Sequence, residues 1–171
     1  MEVHNPLNNN KEYKILFVCL GNICRSPAAE AVLQSKLGKA GITPSKVYVD
    51  SAGIGSWHEG QLPDRRMREH GVLRGYDISS RARQVNETDF GRFDFIFAMD
   101  DENVAALLRM ARNEEEREKV MRMGDFITHH KGYTTVPDPY YGDGEAFELA
   151  LDLIEDACDG IMRWLAEKKI V

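Results

Sequence analysis

"VCLGNICRSP", residues 18–27, closes an apolar run and opens a helical one. KILFV at 14–18 reads as a buried strand. The stretch from Ser26 onward carries a helix start, with Ser26 as the expected N-cap and Pro27 at the first helical position. Only Leu20 to Arg25 lie between Cys19, at the strand's carboxyl end, and the helix. Gly21 and Asn22 both tolerate positive φ, so so short a link can curl until its amide N–H groups converge beside the positive end of the helix. A tetrahedral oxyanion suits that concavity.

Working outward, KVYVD at 46–50 and FDFIFAM at 93–99 are further apolar runs, and a weaker fourth strand is expected within KVMRMGDFI, 119–127. Helical patterns fall at about 27–39, 64–74, 101–112 and 144–169. In the last, Phe147, Leu151, Ile154, Cys158, Ile161 and Leu165 form one stripe, which makes Cys158 core filling, while Glu148, Asp152, Glu155 and Asp159 occupy other faces. Strands alternating with helices predict a single α/β domain over 13–171, preceded by a polar tail over 1–12. It is expected to be a three-layer sandwich with a central, mainly four-stranded parallel sheet and helices on both faces. Ligands of such sheets bind where the carboxyl ends of the strands run into the following loops.

Composition narrows the function. The 171 residues carry a net charge of −6, which disfavours binding to nucleic acid, and no apolar run approaches a membrane span. Without a basic, apolar leader the chain is expected in the cytoplasm. Three cysteines in such a chain point to reduced, chemically useful thiols rather than to a disulfide framework.

Two of those cysteines sit in the quoted loop. Oriented N–H donors, the helix terminus and Arg25 all favour a negative sulfur at Cys19, and Arg25 offers a planar fork to two phosphoryl oxygens. Cys24 lies close enough for a reversible disulfide with Cys19, or serves as a small buried support of the turn. A nucleotide-binding G-x4-G-K-[ST] is absent, and zinc would need more ligands near Cys19 and Cys24. His129 and His130, adjacent in sequence, read as loop residues. A nucleophile of this kind also needs a proton donor for its leaving group. Asp138, between Pro137 and Pro139, is a candidate, although on the residues alone the segment reads equally well as a connecting turn. Asp143 reads as the start of the last helix, and Asp100, Asp101 and Asn103 as capping residues of the third.

VCLGNICRSPAAEAV resembles, nearly residue for residue, the signature of the low-molecular-weight protein tyrosine phosphatases. The likeness continues through VDSAG (49–53), RARQV (81–85), FDFIFAMDDEN (93–103) and VPDPYYG (136–142). The resemblance implies a phosphomonoester hydrolase acting through a phosphocysteine, with Cys19 as nucleophile, Arg25 as phosphate clamp and Asp138 as general acid and then base. It implies a phosphate-binding loop of Leu20, Gly21, Asn22, Ile23, Cys24 and Ser26, with the Ser26 hydroxyl easing departure of the Cys19 sulfur. Asn22 and Ser51 would hold the loop, and Trp57, Tyr140 and Tyr141 would form a lip around a phosphotyrosine protein or small aryl phosphate. No cofactor or metal is expected, since arginine and amides already neutralise the charge. Many relatives carry histidine where Ser80 stands, which changes the support of the loop.

Rival readings are separable. An arsenate reductase on the same fold passes a disulfide along further cysteines, yet residues 25–157 contain none. A protein arginine phosphatase is suggested by bacterial relatives with threonine at the position of Ile23. A phosphopeptide-binding module would have no use for Cys19, Arg25 and Asp138 together.

Overall fold

The computed structural model describes residues 11–171, so most of the expected tail lies outside the described residues. Four parallel strands form one sheet: β1 (Tyr13–Cys19), β2 (Val47–Gly53), β3 (Phe95–Ala98) and β4 (Val120–Arg122), in the order β2-β1-β3-β4. The register pairs Phe17 with Ser51 on one side and with Phe97 on the other. β1 is therefore central, and both its faces are covered, which is why its sequence is continuously apolar rather than alternating.

Helices α1 (Arg25–Lys39), α2 (Arg65–Leu73), α3 (Asp89–Arg92), α4 (Asp101–Met110), α5 (Glu114–Glu118) and α6 (Gly144–Glu167) surround the sheet. Ile15 and Phe17 pack with Ala28, Val32, Ile154, Cys158 and Ile161 of α1 and α6. Leu16 and Val18 face the other way, onto Phe90, Phe93 and Leu107. These two cores give the expected three layers. Every member of the apolar stripe on α6, Cys158 included, is fully buried. Around Phe97, the rings of Phe126 and Trp164 pack edge-on at 5.2 and 6.1 Å between centroids. Among the described residues no helix is long and apolar enough to cross a membrane.

Differences from the sequence reading are local. The third strand is confined to 95–98, because Phe93 caps α3 and packs beneath the sheet. Only residues 120–122 of the fourth region are strand; 123–126 turn into a 3₁₀ helix that α6 covers. Helices α3 and α5 went unforeseen, being too short to show a 3.6-residue period. The two adjacent histidines do lie in a loop. Asp156 of α6 anchors it by accepting from the N–H groups of Thr128, His129 and His130 at 2.9–3.0 Å.

Two helical glycines behave oppositely. A Cβ on Gly160 would lie 2.2 Å from the Phe126 carbonyl oxygen, whereas one on Gly38 would meet nothing within 4 Å. Gly38→Ala should therefore stabilise by about 0.4–1 kcal/mol through reduced unfolded-state freedom. Gly160→Ala should destabilise by about 1–3 kcal/mol despite the same gain in helix propensity, because α6 must back away from the 3₁₀ turn. Urea unfolding of both variants checks the pair of signs.

Candidate active site

The link from β1 to α1 is held by its carbonyl groups. Cys19 O accepts from Ile54 N at 2.9 Å, Leu20 O from Gly55 N at 2.9 Å, Ile23 O from Asp64 N at 2.7 Å, and Cys24 O from Ala28 N at 3.3 Å. In a trans peptide the C=O and the following N–H point in opposite directions. The N–H groups of Leu20, Gly21, Cys24 and Arg25 thus face away from these anchors, and all four residues line one cavity. Asn22 makes the turn with φ of 57°. Gly21, expected to share that role, is not in the positive-φ region; one left-handed residue suffices for the curl. The tight spot is across the sheet, where a Cβ on Gly53 would come within 2.9 Å of Asn22 N.

Asn22 is also the hub of a polar cluster. Its Nδ2 donates to Ser26 Oγ at 2.8 Å and to Ser51 Oγ at 3.0 Å, and its Oδ1 accepts from Arg83 N at 3.0 Å. Ser26 is not the N-cap. The helix begins at Arg25 with Cys24 in the cap position and no side-chain cap bond, so Ser26 and Pro27 sit inside the first turn. The serine hydroxyl instead meets Cys19 Sγ at 3.0 Å, and Ala52 O only at 3.4 Å. Having accepted from Asn22, Ser26 has one proton left to give, and the sulfur is the nearer acceptor.

Arg25 is 2% exposed, unusual for arginine. Its Nη1 donates to Asp100 Oδ2 at 2.6 Å and to Val136 O at 2.9 Å, while Nη2 lies 3.5 Å from Asp138 Oδ2. Burial pulls the guanidinium toward its neutral form, but the Cys19 sulfur, Asp100 and Asp138 outweigh it and hold its pKa above the ordinary value. Its Nε is buried without a hydrogen-bond partner, a donor aimed at nothing in the protein. Asp100 is a cap as expected, its Oδ1 accepting from Asn103 N at 2.8 Å, but its other oxygen has a second duty on Arg25 that the cap reading did not foresee. Asp143 caps α6.

These groups meet at a cavity of about 300 Å³, open to solvent, lined by Cys19, Ile23, Cys24, Arg25 and Asp138 below and by Trp57, His58, Tyr140 and Tyr141 above. Cys19 is nearly enclosed on the floor; Trp57 is 68% and Tyr141 93% exposed. The sequence-derived candidates line this cavity except Ser26, which touches the Cys19 sulfur from behind, and Asn22 and Ser51, which follow it in the same chain of hydrogen bonds. All three cysteines are free, and burial, then Asp64, Cys19 and Asp138, push the Cys24 thiol up. His58, which lines the cavity, and Arg66 of α2, which holds the Tyr140 carbonyl, were missed, because no local pattern marks either contact.

A family model described as low molecular weight phosphotyrosine protein phosphatase matches residues 14–170. The chain belongs to this family. It is 48% identical to a protein tyrosine phosphatase of Entamoeba histolytica crystallised with Hepes in the active site. That comparison covers 92% of this chain and 99% of the other, with a TM-score of 0.88. A low molecular weight protein-tyrosine-phosphatase of Streptomyces coelicolor is 39% identical, covering 91% and 95% of the two chains. A Drosophila arginine phosphatase is 34% identical with a TM-score of 0.81, covering 88% and 96%.

In this phosphatase a second arginine, in addition to Arg25, clips the Asp138 loop to the β1–α1 link. Asp64, whose N–H holds Ile23 O, binds Arg66 through both carboxylate oxygens. Arg66 in turn donates to Tyr140 O at 2.9 Å and Gly142 O at 3.4 Å. The Asp138 carboxylate accepts from Tyr140 N at 3.1 Å, which sets its direction.

Asn22 offers a two-part test. Asn22→Ala should destabilise by about 2–4 kcal/mol, combining the cost of a left-handed β-carbon with unpaired buried donors and acceptors. Asn22→Gly should recover about 1–2 kcal/mol of that, because it removes only the backbone part. Denaturant unfolding of the three proteins separates the contributions.

Proposed function

We propose that the protein is a protein tyrosine phosphatase working in two steps on Cys19. The observation that carries this reading is the convergence of the Cys19 sulfur, the unpaired Arg25 Nε and the Asp138 carboxyl on one cavity with aromatic walls. In the first step the thiolate attacks phosphorus in line. The bond to the aryl oxygen breaks, and Asp138 gives that oxygen its proton. Arg25 Nε and Nη2, with the loop N–H groups, hold the equatorial oxygens in an already oriented array. In the second step water attacks the phosphocysteine, losing a proton to Asp138. The P–S bond breaks, and the Ser26 hydroxyl donates to the departing sulfur.

Selectivity follows from depth. The nucleophile lies on the floor and the aromatic side chains stand at the rim, so an ester must be long and flat to place phosphorus beside Cys19 while its ring packs on Trp57 and Tyr140. Ile23 keeps the lining apolar, which favours a phenolic ester over a phosphoguanidinium. A cytoplasmic site of action fits the three free thiols.

Turnover of phosphotyrosine, phosphoserine and phosphoarginine peptides tests the substrate class, with phosphotyrosine expected to dominate. Preference for phosphoarginine would reverse the assignment. Cys19→Ser should abolish steady-state turnover, and addition of EDTA should leave the wild-type rate unchanged. Asp138→Ala should lower kcat on phenyl phosphate by about 10²–10⁴-fold, with far less effect on esters whose leaving groups need no proton.

A further inference from the structure

One wall of the cavity rests on a residue that does not line it. Trp57, 68% exposed, follows Gly55 by two positions in the loop after β2. A Cβ built on Gly55 would lie 1.9 Å from Trp57 Cζ3, 2.2 Å from Cε3 and 2.4 Å from Cη2. Three consecutive ring atoms at such similar distances put that position over the face of the indole, since an edge-on approach to Cζ3 would leave its two neighbours much farther off. The indole therefore lies flat on the Gly55 backbone. The chain closes one of its faces, and the rest of the ring stands at the cavity with His58, Tyr140 and Tyr141.

Gly55 is needed here for space and not for its backbone. It lies outside the positive-φ region that Gly41, Gly60 and Gly75 occupy, so its conformation is one that alanine also adopts. Its N–H donates to Leu20 O at 2.9 Å, a bond that any residue except proline would keep. The group a β-carbon would strike is the far end of an exposed side chain, which can swing into solvent, and neither backbone nor core. The missing β-carbon thus serves the ring alone. An exposed tryptophan without such a seat must be ordered by the ligand, at a cost comparable to the whole gain from stacking on it.

We propose that Gly55 is a positioning residue for substrate selectivity: by having no side chain it seats the Trp57 indole in one orientation, and so presents a preformed face on which the aromatic ring of a phosphate ester stacks. The inference deepens the phosphatase reading and rests on it for the kind of ester, while the seat itself is a matter of ligand binding. The phosphoryl group is held on the floor by Arg25 and the loop N–H groups, and only the ring depends on the seat. Affinity for a ligand that carries a ring therefore depends on Gly55, and affinity for a bare phosphate does not.

The experiment is calorimetric titration of benzylphosphonate, which carries a ring and is not hydrolysed, and of inorganic phosphate, which has none. It compares the wild type, Gly55→Ala, Trp57→Ala and the double variant. Gly55→Ala should weaken benzylphosphonate about three- to tenfold and leave phosphate within about twofold. In the Trp57→Ala background the same substitution should change neither. In a nitrogen–proton correlation spectrum the side-chain N–H signal of Trp57, and not that of Trp164, should move in Gly55→Ala. KM on an aryl phosphate should rise by the same factor as the benzylphosphonate loss, with kcat little changed. An unchanged benzylphosphonate affinity in Gly55→Ala overturns the proposal. So does an equal loss for both ligands, which means a distorted floor, or a loss that persists without Trp57, which places the effect in the loop backbone. A Gly55→Ala protein that does not fold overturns it as well, since the contact is then with more than an exposed ring. If every protein, wild type included, is inactive on the ester while the benzylphosphonate loss appears as expected, the phosphatase reading fails and the seat stands.

Discussion

Burying the Arg25 guanidinium at the carboxyl end of a parallel sheet obliges separate stretches of chain to bring oxygen atoms to it. A permanent cation with 2% exposure costs several kcal/mol unless it is paired and fully hydrogen-bonded. Asp100 comes from the start of α4, Val136 from the connection that follows β4, and Asp138 from the loop before α6. The backbone joins two of these segments as well, Val136 N donating to Met99 O at 2.9 Å. Their meeting fixes the acid's position relative to the sulfur, so the electrostatic demand of one side chain organises the far half of the molecule around the β1–α1 turn. The demand is left incomplete at Nε, and the remaining donor is the one a phosphoryl oxygen would occupy.

What could be read from the sequence follows the range of the interactions involved. The β1–α1 turn was legible because strand, turn and helix are local signals, and Cys19 and Arg25 sit inside them. The α6 stripe was legible because six apolar residues keep one period over a long helix. Asp100 was half legible: its capping bond to Asn103 is a local pattern, but its bond to Arg25 spans 75 positions and exists only once β1 and β3 are neighbours. Ser26 was misplaced because serine before proline is a strong capping signal, and here its hydroxyl is drawn to the sulfur and Asn22 instead. His58 and Arg66 had no signal, since one reaches the cavity from a separate loop and the other meets the Tyr140 carbonyl from α2. Asp138 and Ser51 came from family resemblance rather than from their own surroundings.

The polar cluster behind the loop distributes its work over distinct atoms. Asn22 supplies the unusual backbone angle and three hydrogen bonds, so its small amide is both the bend and the brace. Gly53 allows the loop to rest directly on the end of β2, where any β-carbon would intrude. Arg83 joins the two, touching Asn22 through its backbone and reaching both Asp50 and buried Asp89 through its guanidinium.

Arg25 and Arg66 are both paired with carboxylates, yet they live in different dielectric surroundings. Arg66 is 44% exposed along its side chain against 2% for Arg25, whereas its partner Asp64, at 12%, is more enclosed than Asp100 and Asp138, at 26% and 35%. Mobile ions reach the arginine end of that pair and weaken its attraction, the Debye length being about 8 Å at physiological ionic strength, whereas the Arg25 guanidinium is itself enclosed. Dissolved salt therefore bears more on the arginine that clips the two loops together than on the one at the foot of the cavity.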